Sequence, residues 1–83
     1  MSESIPIEVH HRRRSLAVVA QLPGVRVEDV RIALTRDALT IDAEAPEGLR
    51  HYFLGFASPV DDRRATIHFS GGVLRMHLPK LGV

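Results

Sequence analysis

The sequence contains no cysteine, no tryptophan, one tyrosine and only three phenylalanines among its 83 residues. The absence of cysteine excludes disulfides and thiolate metal sites, and it leaves the redox compartment undetermined. The scarcity of aromatic residues means that a core must be built mainly from aliphatic side chains. Because a chain of this length buries only roughly 60% of its unfolded surface, we expect one small domain that gains stability from self-association.

The sequence also has no large excess of one charge, since it contains eleven Lys and Arg residues and ten Asp and Glu residues. The net charge of +1 is too small to predict a nucleic-acid or anionic-membrane partner. No apolar run approaches the length of a membrane span, and the opening residues MSESIPIEVHHRRR lack the apolar stretch of a signal peptide. We therefore expect a cytoplasmic protein with no nucleic-acid partner and no membrane partner.

Apolar residues that recur with a period of two are abundant, and this pattern is typical of half-buried strands. It is clear in SLAVVAQLPG, VRIALTR, ALTIDAEA, ATIHFS and VLRMHLPK, and weaker in IPIEVHH and RHYFLGFAS. A single turn at 27–30 is the only candidate helix. About seven short strands separated by turns predict an all-β, immunoglobulin-like sandwich of antiparallel strands with no substantial helix.

Two hairpins can be registered from this pattern alone. Two-residue turns at Arg36-Asp37 and at Gly71-Gly72 place every apolar residue of each hairpin on one face, and a slip of one residue would undo this. The predicted pairs are Leu34 with Leu39, Ile32 with Ile41, Phe69 with Leu74 and Ile67 with Met76. Since Pro79 cannot donate a hydrogen bond, we expect strand pairing to end at Leu78 on the side that its N–H would face.

Five histidines raise a metal hypothesis, but no carboxylate near His68 or His77 is spaced to complete a ligand set, so we predict no metal site. The cationic run at 10–14 lacks interleaved aromatic residues, and the simpler role for it is an exposed edge protected by charge. No serine lies in a nucleophile elbow, and no loop has the form that cradles phosphates. We therefore predict no catalytic residues, no cofactor and no enzymatic activity.

Five short motifs follow one another in an order that identifies a family. They are LPG at 22–24, L-x-I at 39–41, an aromatic strand that ends in proline at 56–59, a loop containing Asp61, and G-V-L-x-x-x-L-P-K at 72–80. Over roughly residues 5–81, this order resembles the small heat shock proteins with their alpha-crystallin domain. The resemblance implies an ATP-independent chaperone, or holdase, that binds unfolded or partly folded client proteins.

The resemblance also implies where partners bind. Clients are expected in an apolar groove between two edge strands, lined by Val30, Ile32, Leu34, Ile67 and Phe69. A homodimer, or another small oligomer, is expected through the strand at 50–57, which is apolar on both faces. The dimer residues implied are Tyr52, Phe53, Leu54 and Phe56.

Compared with that family, residues 1–83 are expected to form a single domain with a minimal N-terminal arm and C-terminal tail. Leu81 and Val83 keep the spacing of an I-x-I tail motif. The connection APEGLRH is too short to carry a swapped strand to a partner, which is why another edge must form the dimer. An alternative is a CS-type co-chaperone or adaptor domain, which has a similar sandwich but docks on one specific partner.

Overall fold

Eight strands and one helical turn are present in the computed structural model, which describes the backbone of residues 3–82 and the side chains of residues 5–82. Val83, one half of the I-x-I spacing, lies outside the described residues. The strands are β1 (Glu3–Ser4), β2 (Ile7–His11), β3 (Ser15–Gln21), β4 (Val30–Leu34), β5 (Ala38–Ala45), β6 (Gly48–Gly55), β7 (Thr66–Ser70) and β8 (Val73–Pro79). The helical turn is a 3-10 helix, Val27–Asp29. The predicted all-β sandwich without a substantial helix is confirmed.

The strands form two sheets of four. Sheet 1 has the order β1-β6-β5-β4, and sheet 2 has the order β2-β3-β8-β7. Neighbouring strands are antiparallel, except that β1 runs parallel to β6. Sequence alternation did not predict β1, because two residues are too few to show a period.

The core lies between the two sheets and is aliphatic, as the composition predicts. Alternate residues of β3, β5 and β8 point inward, and four further side chains from connecting segments close the ends. The buried hydrophobic residues are Ile5, Leu16, Val18, Ala20, Leu22, Val25, Leu39, Ile41, Ala43, Val60, Leu74, Met76 and Leu78. Three of the aromatic side chains, Tyr52, Phe56 and Phe69, lie at the margin of this cluster, and none of them is fully buried.

Both predicted hairpin registers are confirmed, but the two turns differ in kind. Gly71 and Gly72 have φ values of 58° and 76°, as a primed hairpin turn requires. No non-glycine residue among those described has positive φ. The turn at Arg36-Asp37 is therefore not of the primed type. Thr35 Oγ1 instead accepts hydrogen bonds from the N–H groups of Asp37 and Ala38, at 3.3 and 3.1 Å. A hydroxyl thus stabilises a turn whose residues disfavour positive φ.

The LPG motif and the closing glycine pair, distant in sequence, lie against each other. The Leu22 N–H donates a hydrogen bond to the Gly72 carbonyl at 2.7 Å. A Cβ on Gly72 would lie 3.1 Å from the Leu22 carbonyl oxygen and 3.3 Å from the Pro23 Cα. Glycine is therefore required here both for its positive φ and for the close approach of the two backbones.

The end of β8 differs from the prediction at Pro79. Pairing with β7 stops at His77, but pairing with β3 continues through Pro79. The Lys80 N–H donates to the Arg14 carbonyl at 2.8 Å, and the Pro79 carbonyl accepts from the Asp61 N–H at 2.7 Å. The missing N–H of Pro79 would point toward β7, and on that side the pairing stops one residue before the expected Leu78. Proline limits only the edge that faces β7.

Candidate functional site

One side of the sandwich is closed and the opposite side is open. Only Ile5 and Pro6 separate β1, at the edge of sheet 1, from β2, at the edge of sheet 2. The Ile5 side chain is 3% exposed, so the chain crosses directly over the core. The β1 and β2 edges therefore lie on one side, and β4 and β7 share the other. No described strand pairs with the outer edge of β4 or of β7.

All five predicted groove residues project from the inner faces of these two open-edge strands. Pairing places Ile32 beside the buried Ile41, and it places Ile67 beside the buried Met76. Ile67 is 47% exposed although it faces inward, and the other four are half-buried against the core. The structure thus places Val30, Ile32, Leu34, Ile67 and Phe69 along the open side. Their role in client binding stays a prediction.

Charged residues mark both ends of this open side. Before β4, Arg26 Nε lies 3.1 Å from Asp29 Oδ2. The hydrogen bond that Arg26 donates to Asp29 raises the pKa of the Arg26 guanidinium, with the charges of Asp29 and Glu28 adding to this effect. Before β7, Asp61 Oδ1 accepts a hydrogen bond from the Arg63 N–H at 3.1 Å. The charges at each end are thus largely matched locally, and the strip between them is apolar.

The strand predicted to form the dimer is β6, and it begins at Gly48, two residues earlier than expected. Tyr52, Leu54 and Phe56 are half-buried and pack against the core. Phe53 points to the outer face of sheet 1 and is 60% exposed. The structure therefore separates the four predicted interface residues into three that support the core and one that is available to a partner.

The outer edge of β6 is only partly covered. β1 pairs with Arg50 and His51, and no described strand pairs beyond them on that side. The Phe56 N–H donates to the Asp37 carbonyl at 2.8 Å, which fixes the alternation of the antiparallel ladder with β5. Even-numbered residues of β6 therefore bond to β5, and Phe53 and Gly55 direct their N–H and C=O groups toward the free edge. Such an edge can accept another strand.

One polar pair on the outer face of sheet 1 was not predicted. Asp42 and His51 are cross-strand neighbours, and His51 Nδ1 lies 2.6 Å from Asp42 Oδ1. Sequence alternation placed Asp42 outward but gave it no partner. The signal that was missed is the two-residue turn at Pro46-Glu47, which fixes the register of β5 with β6. The pair borders a shallow cleft of about 600 Å³.

The described residues hold no group of three or more His, Cys, Asp or Glu side chains arranged to hold a metal ion. The expectations of no metal, no cofactor and no catalysis stay predictions. Within the same part of the chain, no helix is long and apolar enough to cross a membrane.

Comparison with known proteins identifies solved structures that share this geometry. No protein-family model matches the sequence, and no curated protein matches it. Solved structures do match. Heat shock protein 16.0 from Schizosaccharomyces pombe superposes with a TM-score of 0.89 at 27% identity, covering 99% of this chain and 70% of that one.

Two bacterial structures share the fold at lower identity. The hspA of Xanthomonas axonopodis has a TM-score of 0.82 at 18% identity, covering 98% of this chain and 97% of that one. A small heat-shock protein from Xylella fastidiosa has a TM-score of 0.80 at 20% identity, covering 95% and 87%. The sandwich, the ordered motifs and these similarities show that the chain has the alpha-crystallin-domain fold of the small heat shock proteins, which it resembles over nearly its whole length.

Proposed function

We propose that this protein is an ATP-independent holdase, which binds exposed apolar segments of unfolded client proteins along the open side of its sandwich. The observation that carries the proposal is the pair of unpaired strand edges, β4 and β7, with apolar side chains between them. An extended client segment can add hydrogen bonds to such an edge and bury its apolar side chains beside it. We also propose that the protein acts in the cytoplasm.

Ile67 is the groove residue with the most apolar surface left to cover, at 47% exposed. We expect the wild-type protein to suppress the heat-induced aggregation of a model client, measured by light scattering. Ile67→Thr keeps the β-branched shape but adds a hydroxyl, and it should weaken suppression. Val27→Thr makes the same kind of change at an exposed residue outside the groove, so it should leave suppression unchanged.

The outcomes distinguish the two candidate functions. If the wild-type protein fails to suppress aggregation even in excess, the holdase proposal is wrong, and the adaptor alternative gains support. If the protein suppresses aggregation but both variants do so equally well, clients bind elsewhere. Only a selective loss in Ile67→Thr supports both the activity and the groove.

We also propose an isologous dimer formed through β6. Its support is the free edge beyond His51, where Phe53 and Gly55 direct their backbone groups outward. Antiparallel pairing with a second β6 would satisfy those groups and extend sheet 1 across two subunits. It would also bring the two exposed Phe53 rings close together on the same outer face, where aromatic cross-strand contacts are stabilising.

A further inference from the structure

The small net charge of this chain conceals a separation of charge between its two sheets. Sheet 2, with the turn at 12–14 and Lys80, carries four arginines and one lysine against one glutamate, a net +4. Sheet 1 with its connecting segments carries four arginines against seven carboxylates, a net −3. The loop at 57–65 is neutral, with two of each sign. The charges of the two sheets and the loop therefore sum to the chain's +1. The two sheets nevertheless carry net charges of opposite sign.

The outer face of sheet 2 is built from cross-strand rows that the register defines. The first row is Glu8, Val19, Arg75 and His68, and the second is His10, Ala17, His77 and Thr66. The chain beyond the second row forms a tight hairpin turn, in which the Arg12 N–H donates to the Ser15 carbonyl at 2.9 Å. Arg13 and Arg14 stand at the tip. Cationic and imidazole side chains therefore cover one continuous surface.

These cations have almost no internal counter-charge. Among the described residues, Arg12, Arg13, Arg14 and Arg75 make no ion pair. The only carboxylate in the rows, Glu8, lies 3.3 Å from His10. The Lys80 ammonium donates to the Arg12 carbonyl at 2.7 Å, which anchors the base of the turn without neutralising its charge. The turn and the outer face thus carry four exposed arginines, which are open to an anionic partner.

The surroundings of this surface select among anionic partners. The exposed large apolar side chains lie elsewhere, on sheet 1 or its connections and at the groove, so sheet 2 has nothing to insert into a bilayer. No aromatic residue lies on its outer face, so it has no platform on which single-stranded bases could stack. Arginine forks suit closely spaced phosphates. We propose that the outer face of sheet 2 and the 12–14 turn bind the phosphate backbone of double-stranded nucleic acid, independently of its sequence.

This inference is independent of the holdase proposal, and it revises the expectation of no nucleic-acid partner that rested on net charge. Binding through phosphates releases counter-ions, so the logarithm of the affinity falls linearly with the logarithm of salt concentration, with a slope of about −0.9 per phosphate contacted. Lys80 has the register of the inward-facing Leu74, Met76 and Leu78 and lies beside Leu54 and Phe56, so it is not counted here. If the four arginines contact phosphates, the slope is about −3.6.

Fluorescence anisotropy of a short labelled DNA duplex, titrated with the full chain between about 50 and 200 mM salt, tests the proposal. We expect saturable binding, and the double variant Arg13→Gln/Arg14→Gln should reduce the slope to about −1.8. The matched control is Arg63→Gln/Arg64→Gln, which removes the same charge from the neutral loop and should keep the wild-type slope. Circular dichroism of each variant confirms that it is folded.

Three results would overturn the proposal. The first is no binding of the duplex at the lowest salt concentration. The second is an equal loss in both double variants, which would mean that overall charge and not this face determines binding. The third is displacement of the duplex by polyglutamate or by anionic vesicles as efficiently as by unlabelled duplex, which would assign the face to acidic proteins or to membranes.

Discussion

Substituting Gly72 by alanine tests whether the closing hairpin and the LPG turn stabilise each other. Two costs are expected. An alanine at a φ of 76° is disfavoured by about 1–2 kcal/mol. Its Cβ would also lie 3.1 Å from the Leu22 carbonyl oxygen, and relieving that contact would stretch the 2.7 Å hydrogen bond from Leu22 to Gly72. Loss of that bond adds about 1 kcal/mol.

Gly71→Ala is the matched control, because Gly71 has a φ of 58° but a Cβ added to it would meet no atom within 4 Å beyond its chain neighbours. Gly71→Ala is therefore destabilised only by the unfavourable positive φ and not by a close contact. Both substitutions also lower the conformational entropy of the unfolded chain, and this stabilises each variant by about 0.4–1 kcal/mol. We therefore expect Gly71→Ala to reduce the free energy of unfolding by about 0.5–1 kcal/mol, and Gly72→Ala to reduce it by about 2 kcal/mol.

Urea denaturation followed by far-UV circular dichroism gives both values, provided that the protein concentration is held fixed for a chain that self-associates. With a slope of about 1 kcal/mol per M urea, the two midpoints should differ by about 1 M. Equal midpoints for the two variants would show that the approach to Leu22 contributes nothing. A Gly72→Ala variant as stable as the wild type would refute the whole account of this turn.

The remaining predictions concern the core, the first turn and the assembly. Leu74→Ala should destabilise the fold by about 2–5 kcal/mol, since Leu74 is 1% exposed; an unchanged urea midpoint would contradict its place in the core. Thr35→Val should cost about 1 kcal/mol by removing the acceptor for the Asp37 and Ala38 N–H groups, and thermal unfolding would measure it. Phe53→Lys should convert the dimer to a monomer in light scattering, and a wild-type monomer at high concentration would argue against the interface. A uniform assembly of about twelve or more subunits would rule out the predicted small oligomer.

The sequence predicted the parts of this fold in which a mistake would expose many apolar groups. The pairing of Ile32 with Ile41 was predictable because a slip of one residue would turn three apolar side chains of β4 into solvent. The same reasoning placed Ile67 on the inward face of its strand, and the resemblance to the small heat shock proteins implied the groove that it lines. Neither could show how exposed each groove residue is, because exposure depends on which strands lie at the edges.

Features that depend on a single hydrogen bond or on chain direction were not predictable. The role of Thr35 in the first turn is one such case, and the pairing of Pro79 with β3 is another, since a proline's effect depends on the direction in which its nitrogen points. The Asp42–His51 pair required the register of β5 with β6, which Pro46-Glu47 sets. Charge separation between the layers required the assignment of strands to sheets, which composition does not contain.

The direct crossing at Ile5 has a consequence for the exchange of strands at the β6 edge. β1 occupies that edge at Arg50 and His51, so a partner strand has only residues 52–55 of β6 available before it meets the protein's own chain. A longer partner must displace β1, and displacement pulls the buried Ile5 into water at a cost of about 1.5–3 kcal/mol. The first described residues thus act as an internal competitor for the edge. Their detachment would be a concentration-independent step preceding any extended pairing, and mixing experiments between labelled subunits would reveal it as an exchange rate that does not rise with protein concentration.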